Sequence, residues 1–252
     1  MKKQITILAF LILASLVGFM GFDKATLFND FVSFDQAFIP PLAITNQEKV
    51  KPSKKAMKIL KAEWATFSAK YKNANAGDPQ WAKDFDDTDT LIKKAGQTVK
   101  SGKNLMAAHE TLEEIRLIFM KLRQRNQMAY MPDLLTEFHP HMEALYHAAI
   151  DHSAGELDAD TIHDMQATLA EALTIWKQVK ETLFAPADYG IGSQKAKKMK
   201  KLQAMETKAL GQLKIALEGN DKPAMIKAAK GIKPSYAKLY KSFGNFERIV
   251  KK

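Results

Sequence analysis

Residues 103–151 read KNLMAAHETLEEIRLIFMKLRQRNQMAYMPDLLTEFHPHMEALYHAAID, and this stretch decides the fold. Its apolar side chains recur every three or four residues, which is the spacing of one face of an α-helix. In the first part of the stretch they are Leu105, Ala108, Leu112, Ile115, Phe119 and Leu122. Pro132 and Asp133 open a second helix, whose predicted buried stripe is Leu135, His139, Met142, Tyr146 and Ala149. The short connection between the two helices predicts that they pack antiparallel.

The same helical spacing continues in both directions and predicts about eight helices. Pro40 and Pro41 should end or kink the first helix, Ser53 is predicted to cap the second, and Gly102 should end the third. A long helix is predicted over residues 193–218. Helix breakers are few, with 12 glycines and 9 prolines in 252 residues. The predicted fold class is therefore all-α, with antiparallel helical bundles in up-and-down four-helix-bundle-like packing.

The amino-terminal segment has the composition of an export signal. Residues 1–22 read MKKQITILAFLILASLVGFMGF, two early lysines followed by an apolar run. We expect cleavage near Ala25, although the run is also long enough to span a bilayer as an uncleaved anchor. In both cases the rest of the chain would be periplasmic or otherwise exported. The predicted organisation is a leader over residues 1–25, an N-terminal helical bundle over 26–152 that carries the candidate site, and a C-terminal helical bundle over 153–252.

Charge and cysteine content exclude several functional classes. The formal net charge is +10, with 38 Lys and Arg against 28 Asp and Glu, and we interpret the excess as a solvated lysine-rich surface. No recognition-helix or RNA-binding motif accompanies it, so no nucleic-acid partner is predicted. The chain has no cysteine, which excludes disulfides, thiolate metal sites, iron–sulfur clusters and covalently attached c-type haem.

Histidines and carboxylates cluster in the central stretch and make it the candidate site. Four of the six histidines lie within residues 103–151, and a fifth follows at position 152. His109 and Glu113 are one helical turn apart, and so are His139, Glu143 and His147. On antiparallel helices these side chains could converge on one cation, because imidazole and carboxylate are ligands for divalent transition metals such as Zn, Cu or Fe. The predicted metal ligands are His109, Glu113, His139, Glu143 and His147.

Two other interpretations of this cluster are open. The predicted architecture resembles exported bundles of the cytochrome b562 kind, which hold non-covalent b-type haem between one methionine and one histidine. No motif matches, so this is a resemblance of architecture alone, with Met142, Arg116 and Arg123 as candidate cofactor-binding residues. Alternatively the cluster is a buried structural network, in which the two arginines pair with Glu113, Glu137 or Asp133.

Three functional hypotheses follow from these patterns. The first is an exported helical-bundle protein that binds a transition metal or haem for storage, sensing or delivery. The second is a cofactor-free adaptor or chaperone-like module that binds an envelope protein through its amphipathic helices. The third, ranked lowest, is an enzyme that holds an anionic small molecule with Arg116, Arg123, His109 and His139.

Overall fold

The computed structural model describes residues 23–250, so residues 1–22 of the predicted leader lie outside it. The described chain contains eight long helices and no strand, which confirms the all-α class. They are α1 (Lys24–Thr45), α2 (Val50–Tyr71), α3 (Trp81–Ser101), α4 (Leu105–Arg125), α5 (Met131–Ile150), α6 (Ala159–Glu181), α7 (Ser193–Glu218) and α8 (Lys222–Lys241). A 3₁₀ turn (Pro186–Tyr189) and a one-turn helix, α9 (Glu247–Val250), complete the set. None of the described helices combines the length and apolarity needed to cross a bilayer.

The helices form two four-helix units. In the N-terminal bundle, α1 to α4, each helix packs on the next and α4 returns to α1. In the C-terminal bundle, α5 to α8, the same circuit is closed by α5 and α8. The two bundles meet where α4 contacts α5 and where α1 contacts α8. Helix α5 thus packs on α6 and α8, whereas the sequence grouped it with the N-terminal bundle. The position of the domain boundary, near residue 152, stays a prediction.

Aromatic rings fill the centre of the N-terminal bundle. The Phe67 ring stacks on Phe85 with 5.7 Å between centroids, and Phe119 stands edge-on to Phe85 at 6.1 Å. Phe31 and Trp64 join the same cluster, at 4.9 Å and 6.3 Å from Phe67. These side chains belong to all four helices of the bundle, so the cluster fixes how the four pack.

The two prolines of α1 do not end the helix, which continues through them to Thr45. A proline removes the hydrogen bond to the carbonyl four residues earlier, which for Pro40 is that of Gln36. The backbone N–H of Asn245 donates to this freed carbonyl at 2.9 Å. The segment after α8 therefore supplies the hydrogen bond that Pro40 cannot make.

Two local predictions are wrong at the level of single residues. Helix α2 begins at Val50, so Ser53 does not cap it but lies buried within it. On α5 the buried stripe runs through Phe138 and Leu145 rather than His139 and Tyr146, which are only partly buried. Both spacings fit a helix, and contact with α6 and α8 selects the more apolar of the two faces.

Candidate functional site

A cavity of about 210 Å³ lies where the two bundles meet. Its wall is built from α1, α4, α5 and α8. Helices α4 and α5 contribute six of the eight residues predicted for the site: His109, Glu113, Arg116, His139, Met142 and Glu143. The interface between bundles thus brings together residues that the sequence placed on separate helices.

His139 and Arg116 form the central contact between α4 and α5. Nη2 of Arg116 lies 2.6 Å from Nδ1 of His139. A guanidinium can only donate, so Nδ1 accepts and a neutral His139 carries its proton on Nε2. That Nε2 faces Oε1 of Glu143 at 3.3 Å. Both ring nitrogens of His139 are therefore engaged, and neither has a lone pair free for a metal.

Arg116 is buried between groups that stabilise its charge. The Glu113 carboxylate pairs with its Nη2, and its guanidinium lies over the Tyr240 ring at 5.4 Å. Burial alone would lower the pKa of Arg116, but the Tyr236 oxygen, Glu113 and Tyr240 raise it instead. Arg116 is thus the fixed cation between the two histidine–carboxylate pairs, in the region where a metal shared by both pairs would have to lie.

His109 presents a different geometry. Its Nδ1 donates to the backbone carbonyl of Leu42 on α1 at 3.0 Å. Its Nε2 lies 3.7 Å from Oε1 of Glu113, which is too long for a direct hydrogen bond. A backbone carbonyl that fixes one nitrogen and leaves the other free is the usual arrangement behind a metal-bound histidine.

Glu143 gathers three cationic or hydrogen-bonding partners. Its Oε2 accepts from Lys233 of α8 at 2.9 Å and lies 3.5 Å from Nε2 of His147. Burial opposes ionisation, but the hydrogen bonds from His139 and Lys233 outweigh it and lower the pKa of Glu143 to about 2. The carboxylate therefore stays charged at any physiological pH. His147 is more than half exposed, on the outer side of Glu143, and does not line the cavity.

Arg123, the eighth predicted site residue, lies away from the cavity in the junction between α4 and α5. Its Nε donates to Oδ2 of Asp133 at 2.9 Å and its Nη2 to Oδ1 at 2.5 Å. The guanidinium also lies 4.3 Å from the centre of the Tyr130 ring. This pair, together with Arg116 and Glu113, forms the contacts that the structural-network interpretation predicted.

The described residues do not contain a group of three or more histidine and carboxylate side chains arranged to hold a metal ion. Metal binding therefore stays a prediction from the sequence. A haem is at least as large as a drug-sized ligand, whose pockets measure about 300–1,000 Å³. The cavity of about 210 Å³ would have to open to admit one.

Sequence reasoning missed the contribution of α8. Lys233, Ala237 and Lys241 form a row at four-residue spacing and line the cavity beside Tyr236 and Tyr240. This row was visible in the sequence next to the apolar stripe of α8, as the row of His109 and Glu113 was on α4. The turn after α1 adds the side-chain amides of Asn46 and Gln47, for which no local pattern gave a signal.

Comparisons with protein-family models, with curated proteins and with solved structures find no match for this chain. The site must therefore be interpreted from its own geometry.

Proposed function

We propose that this chain is a helical binding protein that holds a small carboxylate-bearing molecule in the cavity between its two bundles. The cavity size supports a ligand of few non-hydrogen atoms, since it is smaller than the pockets of drug-sized ligands. The leader supports a location outside the cytoplasm, so we propose that the ligand is met there.

The charge balance of the cavity carries this proposal. Arg116 pairs with Glu113, and Lys233 pairs with Glu143. Lys241 also lines the cavity and, among the described residues, has no ion-pair partner. Burial and the nearby Lys238 and Lys49 lower its pKa, so a ligand anion beside it would relieve an unfavourable charge.

One surplus positive charge favours a ligand with one negative charge. A dianion would bring excess negative charge against the carboxylates of Glu113 and Glu143, and partly buried charges need partners of opposite sign. The amides of Asn46 and Gln47 can hydrogen-bond a carboxylate or hydroxyl group, and Leu42 and Met142 offer apolar contact. A short carboxylic acid with an apolar or hydroxylated chain fits this wall.

Calorimetric titration with acetate, lactate, succinate and glutamate tests the proposal. We expect a monocarboxylate to bind, and Lys241→Met to weaken it by about tenfold or more. Lys230→Met is the matched control, because Lys230 is exposed on the same helix and does not line the cavity. Equal losses in the two variants, or no heat with any of the four acids, would contradict the proposal.

A transition metal is a second candidate, supported by the geometry of His109 and Glu113. Their 3.7 Å separation is close to that of two ligand atoms each about 2.1 Å from one cation. Zn²⁺ titration should then show one bound ion that is lost in His109→Ala. His163→Ala is the control, because His163 is exposed and outside the cavity. If Zn²⁺ does not bind, or binds equally to both variants, this candidate is eliminated.

A further inference from the structure

A second concave surface, the basic groove, lies beside the cavity. It has a volume of about 1110 Å³ and is bordered by α1, α7, the end of α8 and α9. Five lysines line it, three from α7 and two from α8, against the single carboxylate of Glu247. They are Lys195, Lys198, Lys201, Lys238 and Lys241.

The lysines of the basic groove lack the partners that other lysines of this chain have. Lys83, Lys177 and Lys214 each pair with a carboxylate one turn away on the same helix. Among the described residues, none of the five groove lysines forms an ion pair; Lys195 instead donates to the Gly244 carbonyl at 3.4 Å. Burial lowers the pKa of Lys195, although Glu247 opposes this. The described part of the chain therefore concentrates positive charge in the groove and places one carboxylate, that of Glu247, beside it.

The positions of these lysines match an extended anion. Lys195, Lys198 and Lys201 are three residues apart, so they follow one side of α7 over about 9 Å at 1.5 Å per residue. Lys238 and Lys241 have the same spacing on α8, which packs against α7. An elongated anion lying in the groove would meet ammonium groups from two helices.

The chemical identity of the cations indicates which anion fits. Among the described residues that line the groove, the cations are all lysines. Lysine ammonium groups act as separate point charges that bind phosphoryl oxygens, so a set of five suits an anion whose charge is divided among several phosphoryl groups. Side-chain amides of Gln194 and Asn245 add further hydrogen-bond donors to the groove.

We propose that the basic groove binds a molecule with two or more phosphoryl groups, contacted by Lys195, Lys198 and Lys201 from α7 and by Lys238 from α8. The phosphoryl groups can come from a soluble oligophosphate or from the headgroups of anionic phospholipids. This inference is independent of the carboxylate proposal, because these four lysines do not line the cavity.

Titration with inorganic tripolyphosphate, followed by calorimetry, tests the inference. Replacing Lys195, Lys198 and Lys201 by glutamine should weaken binding by about tenfold or more. The matched control replaces Lys197, Lys200 and Lys208 by glutamine. These three are exposed on the same helix outside the groove, and the change in net charge is identical. The control should stay within about twofold of the wild type, and circular dichroism should show that both variants remain helical.

Two further arms separate the possible ligands. Citrate, a carboxylate with a comparable charge, should bind more weakly than tripolyphosphate if phosphoryl groups are recognised. Vesicles of phosphatidylglycerol, compared with vesicles of phosphatidylcholine, test the membrane source. Groove-dependent vesicle binding without tripolyphosphate binding would assign the phosphoryl groups to lipid. Equal losses in the two triple variants, equal affinity for citrate, or no binding in either arm would overturn the inference.

Discussion

The N-terminal and C-terminal bundles share one topology but differ in what fills their cores. The N-terminal core is a continuous cluster of aromatic rings around Phe67 and Phe119. The C-terminal core has a smaller aromatic group around Phe138 and also encloses a carboxyl group, that of Glu206, which is 0% exposed. The same circuit of four helices therefore closes around a large aromatic cluster in one bundle and around a smaller one beside a fully buried acid in the other.

Burying the Glu206 carboxyl group has a cost in free energy. Its Oε2 accepts a hydrogen bond from Ser235 at 2.5 Å, whereas its Oε1 has no partner among the described residues. Burial raises the pKa of Glu206 to about 8, against the opposing effect of the Ser235 hydrogen bond. The side chain is therefore neutral in the folded protein at pH 7, and folding at that pH requires it to take up a proton.

The largest effect should come from breaking the aromatic core. Phe119→Ala leaves a cavity that four helices cannot easily fill, and we expect it to reduce the free energy of unfolding by about 4 kcal/mol. Phe138→Ala, its counterpart on α5, should cost less, about 3 kcal/mol, because Phe138 contacts fewer rings. Denaturant unfolding measures both. An equal or greater loss for Phe138→Ala would show that the larger aromatic cluster does not make the N-terminal core more sensitive to the loss of one ring.

The second-largest loss of stability should come from breaking the Arg123–Asp133 pair at the junction between α4 and α5. Arg123→Met leaves Asp133 buried without its partner and removes a cation that also stabilises Asp35, so we expect a loss of about 3 kcal/mol. Burial already raises the pKa of Asp35 to about 6 despite Arg123. Without Arg123 both carboxyls should bind protons more tightly when folded, and the penalty should grow from pH 5 to pH 8.

Arg248→Met is the control for the junction. Arg248 pairs with Glu63, their side chains are 41% and 31% exposed, and exposed pairs contribute about 0–1 kcal/mol. A loss as large as that of Arg123→Met would contradict the assignment of the junction to the buried pair.

Replacing the buried acid Glu206 should increase the free energy of unfolding. The folded pKa of Glu206, about 8, lies above the ordinary value of 4.5. The stabilising effect of its proton is therefore complete below pH 4.5 and is lost as the pH rises towards 8. At about 1.4 kcal/mol per pH unit, partly offset by the buried amide, Glu206→Gln should stabilise the protein by about 2 kcal/mol at pH 7 and by almost nothing at pH 4.5.

Denaturant unfolding across this pH range measures the gain. Glu218→Gln, an exposed position on the same helix, should change the free energy of unfolding little at any pH. A gain for Glu206→Gln that is independent of pH would contradict proton uptake by Glu206.

These residues also show how far the sequence could predict the molecule. Helix α7 has the predicted bounds, Ser193–Glu218, because apolar spacing and turn residues are local signals. Within α7, however, Met205 has the spacing of the apolar side chains Leu202, Ala209 and Leu213, yet it is 56% exposed and Glu206 next to it is buried. Both positions fit the spacing, so hydrophobicity favoured the methionine; contact with α8, which no local pattern encodes, determined the outcome.

In the candidate site too, contacts within one helix could be predicted from the sequence, and contacts between helices could not. The His109–Glu113 and His139–Glu143 pairs lie within single helices, and the sequence predicted them from one-turn spacing. The contact between Arg116 and His139 joins two helices, and the hydrogen bond from His109 to Leu42 spans 67 positions. Contacts of this kind, and the contribution of Lys241, depend on how the bundles dock.

The smallest effect concerns single hydroxyl groups in the two cores. Ser235→Ala removes the one side-chain donor to Glu206 that the described residues supply, so we expect a loss of about 1 kcal/mol. Because that hydrogen bond lowers the pKa of Glu206, its removal should raise the pKa further and extend the pH-dependent loss of stability above pH 8. Ser53→Ala is the matched change in the N-terminal bundle, where the Ser53 hydroxyl is buried and finds no hydrogen-bond partner in the described part of the chain. Removing an unsatisfied buried group costs nothing and can stabilise by about 1 kcal/mol.

Denaturant unfolding at pH 7 and pH 9 should therefore give changes in the free energy of unfolding of opposite sign for the two serine variants. Only the change for Ser235→Ala should depend on pH. The same sign for both, or a pH dependence at Ser53, would mean that the two cores treat buried polar groups alike.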